Sequence, residues 1–150
     1  MFKKILVPLD GSQMGEAVFP IVRQLAEQNG SQVIFIHVNE PMDIQYYGPE
    51  MMMASPEFEH TMRAEANTYL QRTLASWEER GFKATVVLTD AVKAPEAIVA
   101  YADANAVDLI TMSTHGRSGI GRMLMGSVTG NVVHHAKIPV LLVHPDETQP

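Results

Sequence analysis

The chain has 150 residues, of which 46% are hydrophobic and 19% are charged, a balance typical of one globular domain with a buried core. This composition excludes disordered and collagen-like proteins. The absence of cysteine excludes disulfide frameworks, thiolate metal sites and cysteine nucleophiles. A net charge of −6 argues against a general nucleic-acid-binding protein, because phosphate would repel such a molecule at long range.

The N-terminal stretch "MFKKILVPLD" is too short to be a secretion signal, because its apolar run stops at Asp10. No later stretch approaches the roughly 18 uninterrupted apolar residues of a membrane span. We therefore expect a soluble, unexported, cytoplasmic protein without membrane insertion.

Five short apolar runs rich in β-branched residues predict five strands. They are "KKILVPL" (3–9), "QVIFIHV" (32–38), "KATVVL" (83–88), "DLITMS" (108–113) and "PVLLVH" (139–144). Continuous apolar runs of this kind are typical of strands that are buried on both faces of a parallel sheet.

Segments with a helical period separate the strands. We predict helices at 14–29, 56–80, 95–104 and 127–135, the first two ended by Gly30 and Gly81. The order βαβαβαβαβ predicts an α/β fold, a mostly parallel sheet with helices on both faces, in one domain over 1–150. The long irregular segment 39–56 is expected to be functional or mobile.

Residues 112–131, "MSTHGRSGIGRMLMGSVTGN", hold five of the ten glycines and no acidic residue. Glycines 116, 119, 121 and 126 would let the backbone approach a ligand and turn its N–H groups toward it. Ser127 begins the last helix, whose first turn favours anions, and Arg117 and Arg122 could add charge. Asp and Glu are absent between Asp108 and Asp146, an interval that also contains Lys137. The segment therefore predicts an anion site.

Two common phosphate motifs are missing. There is no GxxxxGK[ST] sequence, and no GxGxxG follows the first strand, which excludes a P-loop and a Rossmann dinucleotide site. In an open parallel sheet the ligand would bind where the strand order reverses. The loops after strand 1, "LDGS", and after strand 4 are the candidate walls.

The spacing from Gly116 to Gly126-Ser127, with "STH" before it and "VTGNVVHHAKIPVLLV" after it, resembles the nucleotide loop of the universal stress protein family. The opening "KKILVPLDGS" also resembles that family, so the likeness runs from Lys3 to Val143. One departure is Ser113, which stands where the family pattern G-x2-G-x9-G-[ST] has its first glycine.

The resemblance implies a Rossmann-like sheet in the order 3-2-1-4-5, similar to the adenine nucleotide alpha hydrolases. It also implies a homodimer and ATP or AMP bound where the strand order reverses. It places adenine near Asp10 and Val38, and the ribose near Met112, with Ser113 able to approach ribose or phosphate. Around the phosphates it places Gly116, Arg117, Gly119, Gly126, Ser127 and Val128.

Each of these features also has a simpler interpretation. The glycine segment could be a connector that binds nothing, and Asp10 could be an ordinary turn residue in "DGS". His37 is expected to be a buried core residue. His134 and His135 point about 100° apart on a helix and cannot chelate together, so Mg²⁺ or Mn²⁺ carried by the nucleotide is favoured over a protein metal site. Nothing in the sequence orients His115 for catalysis.

The run "PVLLVH" has no lysine or interior proline to discourage pairing at the edge of the sheet. Antiparallel pairing with a second copy, through Val140 and Leu142, would give a closed dimer. We predict a nucleotide-binding stress-response regulator that is not an enzyme, or at most hydrolyses ATP slowly. The alternatives are a nucleotide-free dimeric interaction module, motivated by Ser113, and a slow ATPase or nucleotide-using transferase.

Overall fold

The computed structural model describes residues 1–41, 56–116 and 125–145, and these form alternating strands and helices. The strands are β1 (Lys4–Pro8), β2 (Gln32–Asn39), β3 (Lys83–Asp90), β4 (Leu109–Ser113) and β5 (Val140–Val143). The helices are α1 (Phe19–Asn29), α2 (Pro56–Glu78), α3 (Ala94–Ala104) and α4 (Ser127–His135), and a 3₁₀ helix (Gly15–Val18) precedes α1. Over the same residues, no helix has both the length and the apolarity needed to cross a membrane.

The five strands form one parallel sheet in the order β3-β2-β1-β4-β5. This confirms the predicted sheet and strand order. The chain builds the sheet outward from β1 through β2 to β3, then returns to the other side of β1 for β4 and β5. The order therefore reverses between β1 and β4, whose carboxyl ends leave a crevice between diverging loops.

Side chains alternate between two apolar cores, one on each face of the sheet. On one face, Val7 and Phe35 pack with Trp77 of α2, whose ring lies 5.0 Å from that of Phe35. On the other face, Leu6 and Ile36 belong to the core that includes Val132 of α4. Helices on both faces are thus confirmed, with the sheet as the central layer.

The expectation that every strand is buried on both faces is wrong for β3 and β5. No residue of β3 is fully buried, and all four residues of β5 are half-buried. Both strands lie at edges of the sheet, where each has a neighbour on one side only. The apolar runs in the sequence could not distinguish edge strands from central ones.

The helix predicted over 14–29 is divided at Phe19. Its first part is the 3₁₀ helix, and α1 begins with Phe19 and Pro20, because proline lacks the N–H that an interior helical position requires. As predicted, the helix ends at Gly30, which adopts the left-handed conformation with φ of 63°. The predicted ends of the other helices differ from the structure by two residues or fewer.

Asp108 joins the amino ends of β1 and β4. Its carboxylate Oδ2 accepts hydrogen bonds from the backbone N–H groups of Lys3, at 2.7 Å, and Lys4, at 2.8 Å. The bond from the Lys4 amide, followed by that from Lys3, holds the pKa of Asp108 below its ordinary value. The carboxylate therefore stabilises the fold only while it is ionised.

We predict that Asp108→Asn removes part of the pH dependence of stability in acid. A carboxyl with a lowered pKa contributes fully above its unfolded-state value, about 4, and loses that contribution as the pH falls through its folded value. Urea unfolding from pH 7 to pH 3 measures the free energy of unfolding of both proteins. The difference in this free energy between wild type and variant should shrink below about pH 4. The exposed acid Glu79, changed to Gln, is the charge-matched control; a constant difference across this range would contradict the prediction.

Candidate functional site

A cavity of about 1090 Å³ lies at the carboxyl edge of the sheet, where the strand order reverses. Its floor is formed by the ends of β1, β2 and β4. One wall comes from the start of α4 and the residues after β4, and the opposite wall from the starts of α2 and α3. Pockets of this size and position in α/β sheets hold small-molecule ligands or cofactors.

Most of the site residues predicted from the sequence line this cavity. Eight do so: Asp10, Val38, Met112, Ser113, Gly116, Gly126, Ser127 and Val128. They come from four separate segments of the chain, which the fold brings to one place. The predicted Arg117 and Gly119, and also Arg122, lie outside the described residues, as does most of the segment 39–56.

Asp10 follows β1 and is both a turn residue and a cavity residue. Its carboxylate Oδ1 accepts hydrogen bonds from the backbone N–H of Ser12, at 2.9 Å, and from the Ser12 hydroxyl, at 2.6 Å. These bonds form the local turn expected of "DGS". The two interpretations of Asp10 are therefore compatible, because the turn holds the carboxylate against the cavity.

Gly116 makes the closest backbone approach in the site. A Cβ atom at this position would lie 3.3 Å from Asp10 Cγ and closer than 3.0 Å to Asp10 Oδ2, a separation that real Cβ atoms essentially never have. Only glycine lets the segment after β4 pass this close to the loop after β1. The contact brings the two candidate walls of the crevice together.

Gly126 closes the glycine-rich segment instead of presenting its amide to the cavity. Its N–H donates to the carbonyl of Thr114 at 2.8 Å, which ties the start of α4 to the end of β4. Gly126 is the N-cap of α4 and has no side chain to cap the first turn. Ser127 and Val128, whose backbone N–H groups belong to the first turn of α4, line the cavity wall at the positive end of the helix dipole.

Ser113 fits its position without backbone strain. It is the last residue of β4, in extended strand geometry that any residue adopts, and it is buried. Its carbonyl accepts a hydrogen bond from the Thr129 hydroxyl at 3.0 Å. The departure from glycine at this position therefore leaves the strand and its link to α4 intact.

The charge around the cavity differs from the positive charge suggested by the absence of Asp and Glu between Asp108 and Asp146. Lys137 lies beyond the far end of α4 and donates to Asp103 at 2.8 Å, so it does not contribute to the site. Among the described lining residues there are four acids and neither lysine nor arginine. One of these acids, Asp90, has a lowered pKa, chiefly because the Asn39 amide donates to it, with Arg63 adding a nearby positive charge.

His115 is held by contacts that its spacing in the sequence did not reveal, although its role in catalysis stays untested. Its Nδ1 lies 3.0 Å from the Thr114 hydroxyl, and its ring stacks on that of His144 with centroids 5.5 Å apart. His115 is 6% exposed and lines the cavity. His37 is buried as expected, with Nδ1 2.9 Å from the carbonyl oxygen of Leu9, and it also lines the cavity.

The sequence interpretation missed the wall opposite the glycine-rich segment. Phe58 and Met62 lie in the helix predicted over 56–80, whose helical period did not indicate a ligand site, and they line the cavity together with Glu40 and Asp90. Glu40 follows β2, and its carboxylate accepts a hydrogen bond from the backbone N–H of Ala94 at the start of α3. The rule that ligands meet the carboxyl ends of parallel strands could have identified Glu40 and Asp90.

In the part of the chain that the structure describes, no group of three or more His, Asp or Glu side chains is arranged to hold a metal ion. The His134 and His135 rings lie 4.8 Å apart in an edge-to-face arrangement at an angle of 79°. The angle relates the ring planes and not the side-chain directions, so the divergence expected from the helix stays a prediction.

Comparison with known proteins gives one consistent family. A model of the "Universal stress protein family" matches residues 1–144. Universal stress protein MJ0577 of Methanocaldococcus jannaschii is 29% identical over 95% of both chains, and MJ0531 of the same organism is 31% identical over 95% of this chain and 82% of its own. The solved structure of MJ0577 superposes with a TM-score of 0.84, at 29% identity over 99% of both chains.

More distant solved structures share the fold and were determined with nucleotides. A universal stress protein in complex with cAMP is 24% identical, with a TM-score of 0.63 over 95% of this chain and 97% of its own. A family protein from Arabidopsis thaliana with AMP bound is 17% identical, with a TM-score of 0.68 over 97% of this chain and 93% of its own.

We predict that Gly116→Ala destabilises the protein by about 1–3 kcal/mol, because the added methyl group forces the backbone or the Asp10 carboxylate to move. The cost should shrink in the Asp10→Ala background, where the clashing carboxylate is absent. Urea unfolding of the four proteins in this double-mutant cycle measures the coupling.

Gly130→Ala is the matched control for this cycle. Its Cβ would meet only Met125 Sδ, at 3.8 Å, and it lies within α4, where alanine favours the helix by up to about 1 kcal/mol. The two glycines should therefore respond in opposite directions. Equal costs of Gly116→Ala with and without the Asp10 carboxylate would show that the close approach does not constrain the loop.

Proposed function

Because the chain belongs to the universal stress protein family, we propose that it is a regulatory protein that binds ATP or AMP in the cavity at the carboxyl edge of the sheet. Binding of the nucleotide changes its conformation or its choice of protein partner in a cytoplasmic stress response. The observation that carries this proposal is that Asp10 after β1, Gly116 after β4 and Ser127 at the start of α4 line one cavity, with Gly116 passing close to the Asp10 carboxylate.

The two ends of the cavity suit the two ends of an adenine nucleotide. Asp10 and Val38 lie at the ends of β1 and β2, where a carboxylate can accept a hydrogen bond from a base or ribose. The first turn of α4 lies at the other wall and offers backbone N–H groups and a positive dipole to phosphate. Arg117 and Arg122, which lie between Gly116 and Gly126 in the sequence, are proposed to add positive charge.

The relatives support an adenine nucleotide as the ligand. Two structures with the same fold contain AMP and cAMP, and both proteins carry the family name. Their sequences are too distant to transfer individual contacts. The proposal for this chain therefore depends on its own residues, eight of which line the cavity.

We propose that the bound nucleotide is not turned over at an appreciable rate. Hydrolysis needs a carboxylate or another group to position water at the terminal phosphate. Asp10 is bonded to Ser12, Glu40 caps α3, and Asp90 accepts hydrogen bonds from Asn39 and Arg63. These carboxylates are used to build the walls, which favours a binding protein over an ATPase or transferase.

A divalent cation, Mg²⁺ or Mn²⁺, is proposed to enter with the nucleotide. The phosphates would supply oxygen ligands, as they do in other nucleotide sites. Three of the four described acids of the cavity, Asp10, Glu40 and Asp90, are bonded within its walls, so the protein would hold such a cation mainly through the nucleotide.

We further propose a homodimer formed by β5. Carbonyl groups of Pro139 and Val143 accept hydrogen bonds from β4, so alternation along the strand directs the backbone groups of Val140 and Leu142 toward the open edge. Antiparallel pairing of two β5 strands would satisfy these groups in a closed two-fold arrangement.

The first prediction of this proposal concerns nucleotide binding. Wild-type protein should bind ATP or AMP, and Gly126→Val should weaken binding at least about tenfold, because its side chain enters the space between Thr114 and the phosphate wall. Isothermal titration calorimetry measures both affinities. Gly130→Val, one helical turn further along α4, is the matched control and should bind like wild type.

Freshly purified wild-type protein also distinguishes the proposed nucleotide-binding regulator from the alternative functions. Mass spectrometry of gently denatured, freshly purified protein should find ATP or AMP. An empty cavity, with no thermal stabilisation by millimolar nucleotide, would support the nucleotide-free interaction module instead. Phosphate release well above background in the presence of Mg²⁺ would support the ATPase.

The second prediction concerns the dimer. Light scattering should give about twice the chain mass of 16.6 kDa at micromolar concentration. Leu142→Pro removes an outward N–H but leaves the bonds to β4, and should yield monomers. Leu142→Ala keeps that N–H and should remain dimeric. Wild-type particles of single-chain mass would contradict the proposed interface.

A further inference from the structure

Thr114 connects two histidines at the start of the glycine-rich segment. Its hydroxyl oxygen lies 3.0 Å from Nδ1 of His115 and 3.1 Å from Nδ1 of His144. The two rings stack at an angle of 25°, one buried in the cavity wall and the other exposed after β5. We call His115 and His144 the histidine pair, and Thr114 its bridge.

The hydrogens of this arrangement can be counted. A hydroxyl has one hydrogen to donate, so it can satisfy only one Nδ1 that lacks a hydrogen. At least one of the two rings must therefore carry hydrogen on Nδ1 and donate it to the Thr114 oxygen. One added proton is accepted without loss of a hydrogen bond, because that oxygen can accept from both rings. A second proton would place two cations in stacked rings, which is unfavourable.

Two carboxylates lie on segments packed around the pair. The Asp10 carboxylate lies against Gly116, next to His115. The 3₁₀ helix that packs on β4 and β5 contributes Glu16, whose carboxylate accepts from the Tyr69 hydroxyl. The uncharged Ser127 and Thr129 lie at the end of α4 near the pair, and His134 and His135 lie at its far end. Strand β5 carries no charged side chain.

We propose that His115 is a further residue of the nucleotide site and that the histidine pair and its bridge supply one titratable positive charge to the phosphates. This inference rests on the proposed function. The described lining of the cavity contains no lysine or arginine, and of its two histidines His37 is hydrogen-bonded to a backbone carbonyl through Nδ1. His115 is the remaining base of that lining, directly before the close approach at Gly116.

The sign of the effect follows from linkage. Phosphate stabilises the protonated pair, so nucleotide binding takes up a proton and the affinity for nucleotide falls as the pH rises. Uptake of one proton corresponds to a change in affinity of at most about tenfold per pH unit. Because His144 directly follows β5, the same proton links the nucleotide site to the proposed dimer edge.

Calorimetry of ATP binding at pH 6, 7 and 8, in two buffers with different ionisation enthalpies, measures the protons taken up. Wild type should take up more protons than His115→Gln. Protons exchanged by ATP itself are the same for both proteins, so they cancel in this comparison. Thr114→Val keeps the side-chain shape and the backbone bonds of Thr114 to β5 and Gly126 but removes the bridge, so it should lower the uptake toward that of His115→Gln. The exposed His134, changed to Gln, should behave as wild type.

A measurement without nucleotide tests the bridge itself. Long-range ¹H–¹⁵N spectra of the imidazoles at pH 8 should show at least one of the two rings with hydrogen on Nδ1, and Thr114→Val should remove that signature. Both rings with hydrogen only on Nε2 in wild type would overturn the bridge. Equal proton uptake by wild type and His115→Gln would overturn the role of the pair while leaving nucleotide binding intact. Failure of wild type to bind ATP or AMP at all would overturn the proposed function instead.

Discussion

The close approach of Gly116 to Asp10 is the constraint on which the site depends. Parallel strands β1 and β4 are neighbours through only two residue pairs, and the loops that follow them diverge to opposite faces of the sheet. Glycine at 116 lets these loops meet again above the strand ends, since no side chain separates the backbone from the carboxylate. The cavity floor is continuous because of that contact.

Hydrogen bonds around Thr114 extend this constraint to α4 and β5. Its N–H donates to Val143, its carbonyl accepts from Gly126, and its hydroxyl contacts two histidines. One residue thus fixes the end of β4, the start of the last helix and the end of the edge strand. A ligand that contacts the first turn of α4 therefore acts on a residue already bonded to the proposed dimer edge, which is the physical basis for a regulatory role.

The opposite wall of the cavity is built from acids that serve the structure. Glu40 caps α3, and Asp90 joins the end of β3 to Asn39 and to Arg63 of α2. These bonds hold the starts of two helices around the space proposed for the base. The use of these carboxylates in the walls is the basis of the proposal that the nucleotide is bound and not turned over.

The sequence by itself determined the alternation of strands and helices, the left-handed end of α1 at Gly30, and eight of the residues that line the site. Apolar runs, helical periods and glycine positions are local signals, and the family pattern added the strand order. Tertiary structure alone decided that the Gly126 amide bonds back to Thr114, and that His115 stacks on His144, 29 residues further along the chain. Such features arise from contacts between residues distant in sequence, and neither periodicity nor spacing along the chain encodes the distance between two side chains.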